Sequence, residues 1–280
     1  MILHVLGTAQ DGGYPHAGCH KKCCSSVWDS PDLHRLPTSI AAIDQTQNKF
    51  YLFDITPNIK EQLHRLKDYN CELAGIFITH AHIGHYLGLM DLGLEIMNTN
   101  NVPVYTMPRM KNFISNNQPM AQLIENNNIR LIEIQNNQNI LFNNLSVTPF
   151  EVPHRNELSE TVGFKLIINS KSIIFLPDID HWDDWDINLP EFVINHDILF
   201  LDGTFYKKSE IKSRNISRIP HPEIIDTMAR LSQLSKLDKK RVHFTHLNHT
   251  NDALRENTSA YKNIISQGFS ITSENQIFKF

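Results

Sequence analysis

The chain has 280 residues, 41% of them apolar, with 26 basic against 30 acidic residues and a net charge of −4. This balance leaves no electrostatic footprint for nucleic acid or an anionic membrane. No run reaches the roughly 20 apolar residues of a spanning helix. The start, "MILHVLGTAQDGG", lacks the charged end and long apolar stretch of a signal peptide. The expectation is a soluble, cytoplasmic protein whose cysteines are metal ligands or free thiols rather than disulfides.

"MILHVLG" reads as a first strand, followed by a long Gly/Pro/Cys-containing loop to about residue 38. A bound metal would explain such a loop. "SIAAID" and "KFYLFDI" read as a hairpin, and "NIKEQLHRLKDY" as a helix starting after Pro57. "LAGIFIT" is a buried strand, "HYLGLMDLGLEIMN" a helix, "VPVYTM" a strand, and residues 108–127 are helical. "IRLIEI", "NLSVTPFEVP", "TVGFKLIIN", "KSIIFLPD" and "DILFLDG" read as strands. "PEIIDTMARLSQLS" is a helix, "RVHFTHL" a strand and "NDALRENTSAYKNIISQ" a helix, before "FSITS" and "QIFKF" close the chain. Strands mixed with helices in two comparable halves, without a linker-like break, predict a layered α/β domain over residues 1–280.

Polar residues gather where these strands end: Asp54, His80 and His82, His154, Asp178, Asp202 and His246. Strand ends on an α/β scaffold are where ligands and catalytic groups sit. In an extended segment residues i and i+2 point the same way, so His80 and His82 can reach one cation. His85 follows three residues later and can approach from the side. Cys19, Cys23 and Cys24 cluster in "GCHKKCC", and thiolates joined by one histidine suit a closed tetrahedral zinc site.

The spacing "HAHIGH" resembles the H-x-H-x-D-H motif of the metallo-β-lactamase superfamily. "LGTAQDGGYPHAGCHKKCC", "LDGTF" and "FTHLNHTN" resemble, within it, the pyrroloquinoline quinone biosynthesis protein B group and the related phosphonate-pathway cyclic phosphodiesterase. The resemblance covers nearly the whole chain and implies a four-layer αββα sandwich. It implies a first metal on His80, His82 and His154, a bridging Asp178 with Asp180 as its rival, and a second metal on His85 and His246. Asp54 matches the early aspartate that orients the histidine loop, and joins Asp178 and His221 in the expected catalytic set. His221, outside the metal donors, resembles a general acid. A structural zinc on Cys19, Cys24 and His249 is implied as well. Lys21 stands at the middle cysteine position, which Cys23 or His20 could replace. Asp202 is expected to be a structural hydrogen-bonding group.

Gly84 departs from the family pattern by standing where the aspartate belongs, so the second metal is expected to be weakened, exchangeable or absent. The implied activity is hydrolysis of a small phosphodiester or related ester by a metal-activated water. Zinc is the expected metal, with iron or manganese as alternatives at the catalytic site. The rival readings are an iron-dependent oxygenase of the quinone-cofactor type and a metal-binding protein with a degenerate second site. A small-molecule substrate is expected rather than nucleic acid or membrane, and a homodimer is compatible with all of this.

Overall fold

The structure is a computed structural model that describes residues 1–210 and 219–280. Its strands form two seven-stranded sheets. The first sheet contains Ile2–Gly7 (β1), Ser39–Asp44 (β2), Lys49–Phe53 (β3), Glu72–Phe77 (β4), Val102–Thr106 (β5) and Ile129–Glu133 (β6). The second contains Ile140–Leu141 (β7), Leu145–Glu151 (β8), Val162–Ile168 (β9), Lys171–Leu176 (β10), Ile198–Asp202 (β11), Val242–Thr245 (β12) and Ser270–Ile271 (β13). Ile277–Lys279 (β14) crosses back, so the first sheet runs β14-β1-β2-β3-β4-β5-β6 and the second β13-β12-β11-β10-β9-β8-β7.

Period-two alternation sorts the side chains into layers. Val5, Phe53, Phe77, Phe164, Phe175 and Phe200 point between the sheets, where the rings of Phe53 and Phe77 stack at 5.0 Å. Their neighbours Leu6, Leu52 and Ile76 point outward, onto a helical layer that supplies Met110, Ile114 and Leu123. Ile174, Leu176, Leu199 and Leu201 face outward from the second sheet, against Ile224, Met228 and Ile264. Helices therefore cover both outer faces, which gives the four-layer αββα sandwich.

Several expected elements are shorter than their apolar patterns. The helix over 85–98 is only Ile83–Tyr86, followed by a 3-10 segment, Leu87–Leu92. Gly88 is the reason the turn sits so close: a Cβ there would fall 2.2 Å from the Thr56 carbonyl oxygen. The helix over 108–127 breaks into Pro108–Asn116 and Met120–Glu125, because Pro119 cannot continue the first. The last helix begins at Ser259, capped by the Thr258 side chain, and not near residue 251. "DHWDDWD" covers the sheet: Trp182 is buried, and its Nε1 donates to Thr227 Oγ1 at 2.8 Å. Among the described residues no helix is long and apolar enough to cross a membrane.

Candidate metal centre

The exits of β1, β3, β4, β8, β10, β11 and β12 lie along one edge of the sandwich. β4 runs out into Thr79, His80 and His82, and β8 into His154. These three histidines turn ring nitrogens toward one point. His80 Nε2 faces His82 Nδ1 at 2.8 Å, and His154 Nε2 faces the same atom at 3.3 Å. Asp178, past the end of β10, reaches this group with Oδ2 at 3.6 Å from His80 Nε2. The same oxygen lies 3.0 Å from His85 Nε2 and 3.4 Å from His246 Nε2. Asp178 therefore stands between two sets of imidazoles.

His80, His85, His154 and His246 are each held from behind through the other ring nitrogen, as ligand imidazoles are. His80 Nδ1 meets Thr79 Oγ1 at 2.9 Å and His246 Nδ1 meets Thr204 Oγ1 at 3.0 Å. His85 Nδ1 meets Asp54 Oδ2 at 2.7 Å. Asp54 also accepts from the Thr79 N–H at 2.8 Å and from Thr79 Oγ1 at 3.0 Å. It reaches the centre only through His85 and Thr79, and so is a positioning residue. Asp180 is corrected from rival bridge to orienting group: its Oδ1 is 2.8 Å from His154 Nδ1, which turns it away from the shared point.

The electrostatics follow from burial and these neighbours. Burial, then His85, pushes His80 well below the usual imidazole range, and burial takes His82 down to about 4. Both are neutral donors at neutral pH. Burial opposes charge on His85 too, but Asp54, Asp11 and Asp178 outweigh it and hold His85 well above the usual range. Asp178 lies well below the usual carboxylate range, because His246, His154 and His85 outweigh its burial.

His221 Nδ1 lies 2.7 Å from Asp202 Oδ2 and 3.6 Å from Asp178 Oδ1. Burial works against its charge, yet Asp202 raises its pKa to about 9, so at neutral pH it carries a proton. Asp202 also accepts from the Ile179 N–H at 3.1 Å and from the Thr204 N–H and hydroxyl at 2.9 and 2.7 Å. Those bonds tie the exits of β10 and β11 together.

One residue of this edge escaped sequence reasoning. Asp11, in the loop after β1, places Oδ1 3.2 Å from His85 Nε2 and 3.7 Å from His246 Nε2. A carboxylate therefore faces His85 and His246 although residue 84 is glycine, because Asp11 fills the space. A Cβ on Gly84 would fall 2.2 Å from Asp11 Oδ1 and 2.7 Å from its Cα. The available signal was an aspartate just past a strand exit, in "AQDGG".

Four atoms at this point, Asp11 Oδ1, Asp178 Oδ2, His85 Nε2 and His246 Nε2, are buried without a hydrogen-bond partner among the described residues. They stand within ion-pair reach of one another instead, the nearest pair at 3.0 Å. A shared divalent cation would satisfy all of them, and nitrogen and carboxylate oxygen are the donors such cations take.

A second cluster lies in the N-terminal loop. Cys19, Cys23, Cys24 and His249 bring one ligand atom each within 4.8 Å of one another. Cys19 Sγ and Cys23 Sγ are 3.7 Å apart, close to the roughly 3.8 Å sulfur–sulfur edge of a tetrahedral zinc with ~2.3 Å bonds. Cys23 belongs to this group and the exposed His20 does not. Burial pushes the Cys24 thiol up to about 12, so on its own it is an inert thiol rather than a free nucleophile. A cavity of about 1430 Å³ runs between the two clusters, with Asp11, Ile83, Lys21, Lys22 and Phe205 on its walls. A smaller one, about 230 Å³, opens on His82 beside Arg155.

Comparison with known proteins agrees with this fold. Coenzyme PQQ synthesis protein B of Methylorubrum extorquens (strain PA1) is 21% identical over 308 aligned residues, covering 98% of each chain. The protein of the same name from Acinetobacter baumannii (strain ACICU) is 23% identical over 305 residues, covering 97% of each. The crystal structure of Zn(2+)-bound PqqB from Methylobacterium extorquens superposes with a TM-score of 0.84 at 19% identity, covering 100% of both chains. A diphosphatase of the PhnP family superposes with a TM-score of 0.66 at 23% identity, covering 100% of this chain and 96% of the other. Residues 50–247 match the beta-lactamase superfamily domain, a span that holds all the histidines gathered at the sheet edge, and the chain is a member of the metallo-β-lactamase superfamily.

Proposed function

We propose that this chain is a metal-dependent hydrolase of a small phosphodiester or related ester. The observation that carries the reading is the shared carboxylate: Asp178 faces His80 and His154 on one side and His85 and His246 on the other. His80, His82 and His154 would hold one divalent cation, His85 and His246 a second, and Asp178 would touch both. Such a pair, when bound, supplies an acidified water and charge stabilisation at the scissile centre.

The chain's own residues do the rest. Thr79, Asp54, Asp180 and Thr204 fix the tautomer and direction of the donor rings. His221, kept protonated by Asp202, donates its proton to the leaving oxygen. The structural likeness to a diphosphatase of the PhnP family makes a phosphate ester the first class to try.

Zinc-loaded protein should hydrolyse bis(p-nitrophenyl) phosphate, and chelation should abolish the activity. A protein that holds zinc at the histidines yet leaves every phosphodiester and carboxylic ester intact would contradict the proposal. Iron at this site, with oxygen consumption, would support the oxygenase reading instead.

A further inference from the structure

We propose that Asp11 is the carboxylate ligand of the second metal, carried on the exit loop of β1 instead of within the histidine motif, and that residue 84 is glycine because Asp11 occupies the space its side chain would need. The inference deepens the metal-hydrolase reading and rests on it.

Three observations carry it. Asp11 Oδ1 sits 3.2 and 3.7 Å from His85 Nε2 and His246 Nε2. Asp178 Oδ2 sits 3.0 and 3.4 Å from the same two nitrogens. A tetrahedral site with bonds of about 2.0–2.1 Å has ligand–ligand edges of about 3.3 Å, close to these carboxylate–nitrogen separations, and the ligand atoms of Asp11, His85 and His246 all lie within 4.8 Å of one another. All four atoms are buried without a hydrogen-bond partner among the described residues.

The loop that carries Asp11 is also built to stay there. Leu247, next to His246, donates its N–H to the Thr8 carbonyl at 2.9 Å and accepts from the Gln10 N–H at 3.0 Å. Thr8 and Ala9 donate to the Leu36 carbonyl at 2.9 Å, and the Thr38 N–H donates to the Ala9 carbonyl at 2.8 Å. Residue 11 is thereby clamped to the segment that ends in His246. On the other side it packs on Gly84, whose missing Cβ admits both its carboxylate and its Cα. The usual aspartate at position 84 and the present one at position 11 are thus mutually exclusive in space. Glycine opposite Asp11 keeps one carboxylate at the site rather than two or none.

The test counts metal rather than activity. Zinc would be titrated into chelator-stripped protein and bound zinc counted by elemental analysis. The unaltered chain should take up three zinc ions: one at the cysteines and two at the histidines. D11A should keep the cysteine zinc and the His80–His82–His154 zinc, and bind the third about 100-fold more weakly, at least the effect of losing a ligand's outer partner. G84A, which leaves Asp11 in the chain but presses on its Cα, should weaken the same zinc. Should D11A fail to fold, D11N answers the question: it keeps the shape, removes the charge and should still weaken the third zinc. Three zinc ions of unchanged affinity in a folded D11A or D11N protein would overturn the role of Asp11 alone. A stripped, unaltered chain that rebinds zinc only at the cysteines would overturn both this role and the two-metal reading.

Discussion

The two donor clusters are assembled in different ways. The cysteine cluster takes three of its four donors from one short stretch, Cys19, Cys23 and Cys24, and the fourth, His249, from a distant loop. It has a small core of its own, with Ala9, Tyr14 and Val27, and an indole N–H from Trp28 on the Cys19 carbonyl at 2.9 Å. The histidine cluster also takes three donors from one stretch, His80, His82 and His85, but adds His154, Asp178 and His246 from the exits of three strands of the second sheet. A thiolate set closed on itself holds two chain segments together. The histidine centre meets the larger cavity at Asp11 and the smaller one at His82, while Cys23 and His249 border the larger cavity from the other side. The contrast suggests that one cluster serves stability and the other chemistry.

That division can be broken by substitution. The largest effect should come from D178A. Loss of the shared carboxylate should empty both histidine sites, reduce phosphodiester hydrolysis to background and leave the cysteine zinc in place, as read by elemental analysis and assay on one sample. H221N should come next, with kcat reduced about 10²–10³-fold, within the range for a general acid, and the zinc count unchanged. A zinc count that falls with H221N would make His221 a ligand instead.

D180N should act more gently. It leaves the His154 Nδ1 partner in place but uncharged, and zinc affinity at the first site should fall about 10-fold, the lower end for such partners. The smallest effect on catalysis should come from C19S with C24S. Zinc should drop by one ion per chain, and thermal unfolding should move down by on the order of 10 °C. A chain this size shifts roughly 2–4 °C per kcal/mol. Per-site activity below the transition should change little. A collapse of activity at low temperature would show that the cysteine cluster also shapes the active edge.

Much of the histidine edge was legible because strand exits are short-range features. An apolar run ending in a histidine or aspartate marks both the strand and its functional end, and His80, His82, His154, Asp178 and His246 all stand at such ends. Asp11 was not legible in this way. It lies four residues past β1, and its membership depends on β1 returning beside Leu247 and on the backbone passing Gly84, both contacts between distant parts of the chain. Gly84 was noticed as a missing carboxylate. Only the packing shows that it is a glycine with a neighbour.

The choice between Asp178 and Asp180 has the same character. Both lie near the end of β10, and it is the position of His154 that turns Asp180 into a hydrogen-bond partner. The helix expected over 85–98 failed for a local reason: the turn after His85 is pressed against residues 55 and 56, and Gly88 permits a tight turn where its apolar pattern suggests a longer helix. The C-terminal strands were recognisable as strands, but their separation into different sheets was not, because pairing of β14 with β1 joins the two ends of the chain.

The central claim is that the sheet edge holds two metals on one shared aspartate. Zinc-soaked crystals measured for anomalous scattering at the zinc edge test it most directly. The account predicts three peaks per chain: one among Cys19, Cys23, Cys24 and His249, and a pair about 3.5–4 Å apart on either side of Asp178. A single peak at the cysteines, or one peak at the histidines with Asp178 bound on one side only, would contradict it.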